Sequence, residues 1–425
     1  MRLSELFAAA VHMVALIRSQ ISPSNEPSPS STPSPPSPTY ESQPPSLSPP
    51  SPWSVRMANS IMIQSPDLVL YNGASKVKFK YDFAMLGIAI CKLDDGSKSS
   101  KYYQYAKDFI DELVMSDGTM VAYDMDKYNL DYVQPAKLLI LLYQDTGEPQ
   151  YLSAIETIVE QLEDQPRTES GGLFHKLRYP YQMWLDGIYM SPPFMAQYAQ
   201  AFGEEKWYDE AVFQITHIYD NTRDVDTGLL YHAWQETREE EWSDPTTGRS
   251  PSFWGRAVGW FLMGVVDTLD FLPEDHEGRD ELIVILQDTT QALMKVRDLE
   301  QHLWYQVLDK GDREGNYLEA SASAMFTYVF AKASKRRYIG TEYFDYAMES
   351  FDAMLDHFLV VEDMGDGGDD DELITLKNVA SGIGLGFGGG MYRDGSFEYY
   401  TGVEIVDNDA KGVGPFILAA IELGR

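Results

Sequence analysis

The chain reads as an all-α protein, an (α/α)6 barrel made of six helical hairpins in a ring. Three observations carry that reading. From residue 76 onward apolar residues recur at helical spacing, with few alternating β-branched runs. The periodic stretches come in pairs, parted by polar or glycine-bearing breaks and recurring at roughly 50–65 residues. The conspicuous polar and aromatic clusters all precede, or fall within the first turn of, the first helix of a pair.

The first pair spans 81–93 and 99–115, broken at Asp94-Asp95-Gly96. The second, 131–145 with 149–163, turns at Gly147-Glu148-Pro149. The third, 188–201 with 205–220, turns at Phe202-Gly203-Glu204. The fourth, 255–271 with 278–296, is parted by Pro273-Glu274-Asp275, and the fifth, 319–334 with 341–358, by Ile339-Gly340. The sixth is 373–386 with 412–423. Its first helix is the least regular, because Gly382, Gly384, Gly386 and Gly388–Gly390 interrupt it. One helix of each pair lines the centre of such a ring, so clusters at equivalent ends converge on one mouth. Those clusters are Lys80-Tyr81-Asp82, Asn129-Leu130-Asp131, Trp184-Leu185-Asp186 and Ser252-Phe253-Trp254-Gly255-Arg256.

The barrel is expected over residues 53–425. Ahead of it, residues 21–52 hold twelve of the chain's 23 prolines and eleven serines, a composition that reads as a disordered linker. Residues 1–20 resemble a secretory leader, an Arg followed by an apolar run too short to span a bilayer. Glu5, His12 and the lack of an N-x-S/T sequon weaken that reading. Export is the expectation, with cytoplasmic residence the alternative.

The chain carries 66 Asp+Glu against 33 Lys+Arg, a formal charge of −33. A body this acidic repels nucleic acid and anionic membranes, so neither is expected as a partner. The single cysteine, Cys91, lies in an apolar helical pattern and reads as a buried thiol. The seven His are scattered, with no metal-ligand spacing and no phosphate loop, so neither metal nor cofactor is expected.

The candidate chemistry centres on Tyr181-Gln182-Met183-Trp184-Leu185-Asp186-Gly187-Ile188-Tyr189. Aromatic faces suit sugar rings, and a carboxyl among them is poorly hydrated, which raises its pKa and favours an acid catalyst. Asp131 is the second carboxylate of interest. Either residue also fits a helix N-cap, where the helix end would lower the pKa instead. His232 reads as a loop histidine or as a donor to a hydroxyl or water. His175 and Lys176 offer cationic or donor groups. Arg256 is costly to desolvate unless it pairs, with Asp131 or Glu398, or binds a ligand. Trp254 and Trp260 read as core rings or stacking platforms. The acidic runs Glu239-Glu240-Glu241 and Asp369-Asp370-Asp371-Glu372 read as solvated surface, with calcium an alternative at the second.

Together these segments resemble the unsaturated rhamnogalacturonyl hydrolases of glycoside hydrolase family 105. The matching motifs are Tyr-Asn-Leu-Asp at 128–131, Met-Trp-Leu-Asp-Gly at 183–187, Tyr-His-Ala-Trp at 231–234, Phe-Trp-Gly-Arg-Ala-Val-Gly-Trp at 253–260 and Asn-Asp-Ala-Lys-Gly-Val-Gly-Pro-Phe at 408–416. The family 88 unsaturated glucuronyl hydrolases share the toroid and the aspartate pair. The resemblance implies a lyase-generated pectic substrate, an unsaturated galacturonyl-rhamnose or similar oligosaccharide. It implies Asp186 as general acid/base, with Asp131 orienting substrate and setting the proton affinity of Asp186. It puts Tyr81, His175, Lys176, Trp184, His232, Trp254, Arg256 and Trp260 in the substrate pocket, and it requires no cofactor. An ordinary inverting glycosidase and a sugar-binding protein without turnover are the competing readings.

Overall fold

Twelve helices in a computed structural model form two concentric rings. The inner ring is Tyr81–Cys91, Ala136–Thr146, Pro192–Phe202, Gly255–Thr268, Ala320–Lys335 and Ala410–Leu423. The outer ring is Trp53–Gln64, Lys101–Leu113, Pro149–Glu163, Lys206–Thr222, Arg279–Lys295 and Glu342–Phe358. Each inner helix packs chiefly on one outer helix. The structure describes residues 51–363, 365 and 372–425. The leader 1–20, the linker through residue 50 and Asp369-Asp370-Asp371 lie outside the described residues.

The two rings differ in sequence for a physical reason. An outer helix buries one face: Lys101–Leu113 covers Tyr103, Tyr105, Ala106, Phe109, Ile110 and Leu113 and exposes Lys101, Gln104, Asp108, Asp111 and Glu112. An inner helix has neighbours all round. Every residue from Ala320 to Ser334 is buried, and small Ala, Ser and Thr side chains there let adjacent helices close in. Buried hydroxyls fold back on their own helix, as Thr327 Oγ1 does on the Ser323 carbonyl at 2.8 Å. Two of the expected breaks end helices in left-handed geometry, Gly147 at φ 70° and Gly203 at φ 74°. Among the described residues no helix is long and apolar enough to cross a membrane.

The sixth hairpin differs from the expectation. Residues 373–386 are not helical. Glu372–Leu376 pairs with Leu359–Asp363, Val379–Ala380 with Ile405–Val406, and Gly386–Gly388 with Met391–Arg393, all antiparallel. The β-branched Ile374, Thr375 and Val379 and the glycines that follow favour strand and turn over helix. The outer partner of Ala410–Leu423 is instead Trp53–Gln64, from the far end of the sequence. Ser54 seals the ring by donating from both its backbone N–H and its Oγ to the Arg425 carbonyl, each at 3.1 Å.

Candidate active site

The N-terminal ends of the inner helices share one mouth, and a ladder of backbone bonds ties the loops around it. Leu130 N–H donates to the His175 carbonyl (3.1 Å), His175 N–H to the Gln182 carbonyl (2.9 Å), and Leu185 N–H to the His232 carbonyl (3.0 Å). The strand Gln182–Trp184 pairs with Ala233–Gln235, Trp184 opposite Ala233. This register brings Asp186 and His232 together across 46 residues. Asp186 starts a five-residue helix, Asp186–Met190, with no side-chain cap bond, so it is not an N-cap. A Cβ at Gly264 would lie 2.4 Å from the Ile188 carbonyl oxygen, so that glycine lets the Gly255–Thr268 helix press against this short helix. Asp131 is not a cap either. It sits in the 3-10 turn Leu130–Tyr132, and the Asn129 side chain accepts from its N–H at 3.1 Å.

His232 is fully buried and links two groups. Its Nδ1 lies 2.7 Å from the Tyr400 hydroxyl and its Nε2 3.1 Å from Asp186 Oδ2. Burial, and the charges of Tyr399 and Asp186, hold the Tyr400 phenol well above its ordinary pKa. It therefore stays protonated and donates to Nδ1, which leaves Nε2–H to donate to Asp186. The Asp186 side chain is 13 % exposed. Burial raises its pKa, but the hydrogen bond from His232 and the electrostatic influence of His232, His175 and Arg256 outweigh it, and the carboxyl sits below the usual range. This corrects the expectation of a raised pKa. The aromatic surroundings act in the expected direction, but the hydrogen bond was not visible in the sequence.

Asp131 contacts Lys176 Nζ at 2.5 Å and His175 Nε2 at 3.5 Å. Burial, aided by the Lys176 charge, pushes His175 down to about 4, so it is neutral near pH 7 and cannot supply the cation expected of it. Tyr81 is half-buried. Burial and the carboxylates of Asp82, Asp131 and Asp186 raise its phenol pKa, so its hydroxyl is within electrostatic reach of both central aspartates.

The indoles form the walls behind this cluster. His175 stacks on one face of Trp184 and Tyr179 on the other, both at 4.7 Å. Trp254 stacks on Tyr400 at 5.7 Å, and Trp260 lies between Tyr81 (5.8 Å) and Tyr189 (4.9 Å). All three are at most 5 % exposed, so they hold His175, His232 and Tyr81 in place and offer a ligand little face. Arg256 also departs from expectation. It pairs with neither Asp131 nor Glu398. Its guanidinium donates to the carbonyls of Ala380 (2.6 Å) and Ser381 (2.5 Å), lies 3.7 Å from Glu319 and covers the Trp254 ring. Glu398 instead contacts Arg313. In the run Glu239-Glu240-Glu241, the middle residue is half-buried and accepts from Gln182 Nε2 at 2.9 Å.

Three further contributors escaped the sequence reading. Tyr400 is 168 residues from His232, and no local pattern links them. Glu319 fits the pattern of a helix N-cap and does accept from Ala322 N–H at 2.7 Å. Its role as the buried counter-charge of Arg256 has no sequence signal. Arg393, in the glycine-rich hairpin, donates to the Tyr179 hydroxyl at 2.9 Å and so braces the outer face of Trp184. Among the described residues no group of three or more His, Cys, Asp or Glu stands placed to hold a metal ion.

Comparison with known proteins gives consistent results. The sequence model described as Glycosyl Hydrolase Family 88 matches residues 53–425. A solved glycoside hydrolase from family 105 of C. acetobutylicum superposes with a TM-score of 0.82 at 38% identity, covering 88% of this chain and 99% of that one. The unsaturated rhamnogalacturonyl hydrolase YesR of Bacillus subtilis is 27% identical over 293 residues, 66% of this chain and 78% of its own. A protein of Agrobacterium fabrum is 34% identical over 240 residues, 55% of this chain and 97% of its own.

Proposed function

The chain belongs to glycosyl hydrolase family 88 and is a glycosidase, and on that premise we propose that it removes a 4,5-unsaturated uronic acid from the non-reducing end of lyase-generated pectic oligosaccharides. The observation that carries the reading is the Tyr400–His232–Asp186 relay at the shared mouth. It places an oriented carboxyl, backed by a hydrogen-bonded imidazole, where all the inner helices begin. The likeness to a rhamnogalacturonyl hydrolase supports the pectic substrate class.

The substrate's C4=C5 bond is conjugated with the ring oxygen and is a vinyl ether. Asp186 delivers a proton to C4, which leaves an oxocarbenium-like centre at C5. As a carboxylate it then takes a proton from the water that adds to C5. The resulting hemiketal opens and expels the aglycone, giving a keto-uronate. The anomeric bond takes no part in the protonation step. The spacing rule for paired glycosidase carboxylates therefore does not apply.

Asp186 is held ionised in the free protein, so the proton must arrive with the substrate. A bound uronate brings a second negative charge into a poorly hydrated site, and that charge raises the proton affinity of Asp186. The His232 Nε2–H bond to Oδ2 fixes the orientation of that carboxyl. Asp131, fixed by Lys176, borders the same space and orients the sugar.

The test is a panel of disaccharides made by lyases from rhamnogalacturonan, homogalacturonan, ulvan and glycosaminoglycans, followed by loss of the conjugated acid's ultraviolet absorbance. Fastest loss on the rhamnogalacturonan product supports the pectic assignment. Preference for a glycosaminoglycan product would move the chain to the glucuronyl hydrolases.

A further inference from the structure

The barrel has a second chamber on its axis, at the opposite end from Asp186. Its wall takes residues from every inner helix: Ile88 and Cys91, Lys137 and Leu141, Pro193 and Gln197, Asp267, Tyr328 and Lys332, and Leu418. The cavity measures about 170 Å³. Tyr189, packed on Trp260 at 4.9 Å, partitions it from the catalytic mouth.

Lys137 is the anomaly in this chamber. It is 7 % exposed, and its ammonium lies over the Tyr189 ring at 3.8 Å. Among the described residues its Nζ has no hydrogen bond and no ion pair, although the neighbouring charges are matched. Lys332 Nζ is bonded to Asp267 (2.7 Å), Asp270 (2.6 Å) and the Tyr328 hydroxyl (3.0 Å), and Asp270 also meets Arg336 at 3.7 Å. The chamber thus holds two buried ammonium groups, of Lys137 and Lys332, and its two carboxylates are both bonded to Lys332, in a chain with a charge of −33. A cation buried without an acceptor is costly, and a bound anion would remove that cost. Apart from Gln197 the remaining wall, with Ile88, Leu141, Pro193, Phe271 and Leu418, is largely apolar and suits an apolar body better than a hydroxylated one.

We propose that this chamber is a second binding site, for a small carboxylate with an apolar body, whose carboxylate pairs with Lys137 and whose body fills the space against Leu141, Pro193 and Phe271. The ionisation of Lys137 fits such a role. Burial lowers its pKa to about 8, Asp267 opposing and Lys332 and Lys92 adding to the fall, so it remains a cation at neutral pH. Cys91 is pushed up to about 11 by burial and the Tyr328 phenol is raised by burial, so both are neutral at the pH of the test.

Calorimetric titration of the full chain at pH 7 tests the proposal, with benzoate as the probe and benzyl alcohol as its uncharged counterpart. Benzoate is expected to bind the native protein and benzyl alcohol at least ~10-fold more weakly. K137M should weaken benzoate at least ~10-fold, K137R should keep it, and L141W, which fills the chamber, should abolish it. Each variant should retain turnover of an unsaturated disaccharide, because Lys137 and Leu141 lie behind Tyr189. No benzoate binding to the native chain, or equal binding by benzyl alcohol, overturns the proposal. So does undiminished benzoate binding by folded K137M. If K137M fails to fold, the benzoate and benzyl alcohol comparison on the native chain decides.

Discussion

Asp186, at the N-terminal end of the inner helices, and Asp267, at the C-terminal end, are both half-buried and both held below the usual carboxylate range. In each case burial opposes ionisation and is outweighed, but by different partners. Asp186 is offset chiefly by a hydrogen bond from His232. Asp267 is offset by the Lys332 charge, by Lys137 and by the Tyr328 hydroxyl. A depressed pKa is therefore not what separates a reactive carboxylate from a structural one. The separation lies in whether the carboxylate faces the shared mouth or is tied into an ion network with Lys332.

Exchanging each aspartate for its amide tests that distinction most strongly. Asp186→Asn should fold and bind substrate but lose at least ~10²-fold in turnover, because the amide has no proton of suitable acidity. Asp267→Asn should do the reverse. Its activity per folded molecule should stay unchanged, while stability falls by about 3 kcal/mol in a denaturant titration as Lys332 loses one of its two carboxylates. Full activity in the first variant, or catalytic loss without destabilisation in the second, would break the comparison.

The relay gives smaller effects. His232→Leu removes the donor that holds Asp186 ionised, so turnover should drop roughly 10-fold or more while the pKa of Asp186 rises. Tyr400→Phe removes one hydrogen bond, of about 0.5–1.5 kcal/mol, and should cost ~2–10-fold. The accompanying shift in the pH profile marks it as a positioning residue and not merely a packing one. In the native protein kcat/KM should fall as pH rises from the acid side, because the free enzyme's Asp186 is already depressed and must be protonated to act. The fall in kcat should come at higher pH, once the substrate's carboxylate has raised that same group. Coincident limbs for kcat and kcat/KM would show that substrate does not tune it.

Much of the architecture was legible because it is local. Five hairpins followed from helical period and from breaks such as Gly147 and Gly203. The candidate residues drew attention because they occupy equivalent helix starts. What was not legible depends on chain closure. The helix Trp53–Gln64, adjoining the proline-rich segment, shows little periodicity until Ala410–Leu423 is packed on it. The sixth hairpin was therefore sought among glycines that in fact form turns. The same limit applies within the site. Asp186 and His232 could each be named, but their 3.1 Å contact depends on strand register, and Tyr400 and Glu319 reach their partners only through the closed ring. Trp254 and Trp260 read as core rings or stacking platforms, and their burial fits the first; His175 and Tyr179 cover both faces of Trp184.

The account turns on proton delivery to an alkene carbon, with the anomeric bond a bystander. The most direct measurement compares two aryl glycosides that share one leaving group, one carrying the 4,5-unsaturated uronate and the other the saturated uronate. Release from the unsaturated compound alone, abolished in Asp186→Asn, is the predicted result. Comparable release from the saturated compound would contradict the hydration chemistry and return the protein to the ordinary glycosidases.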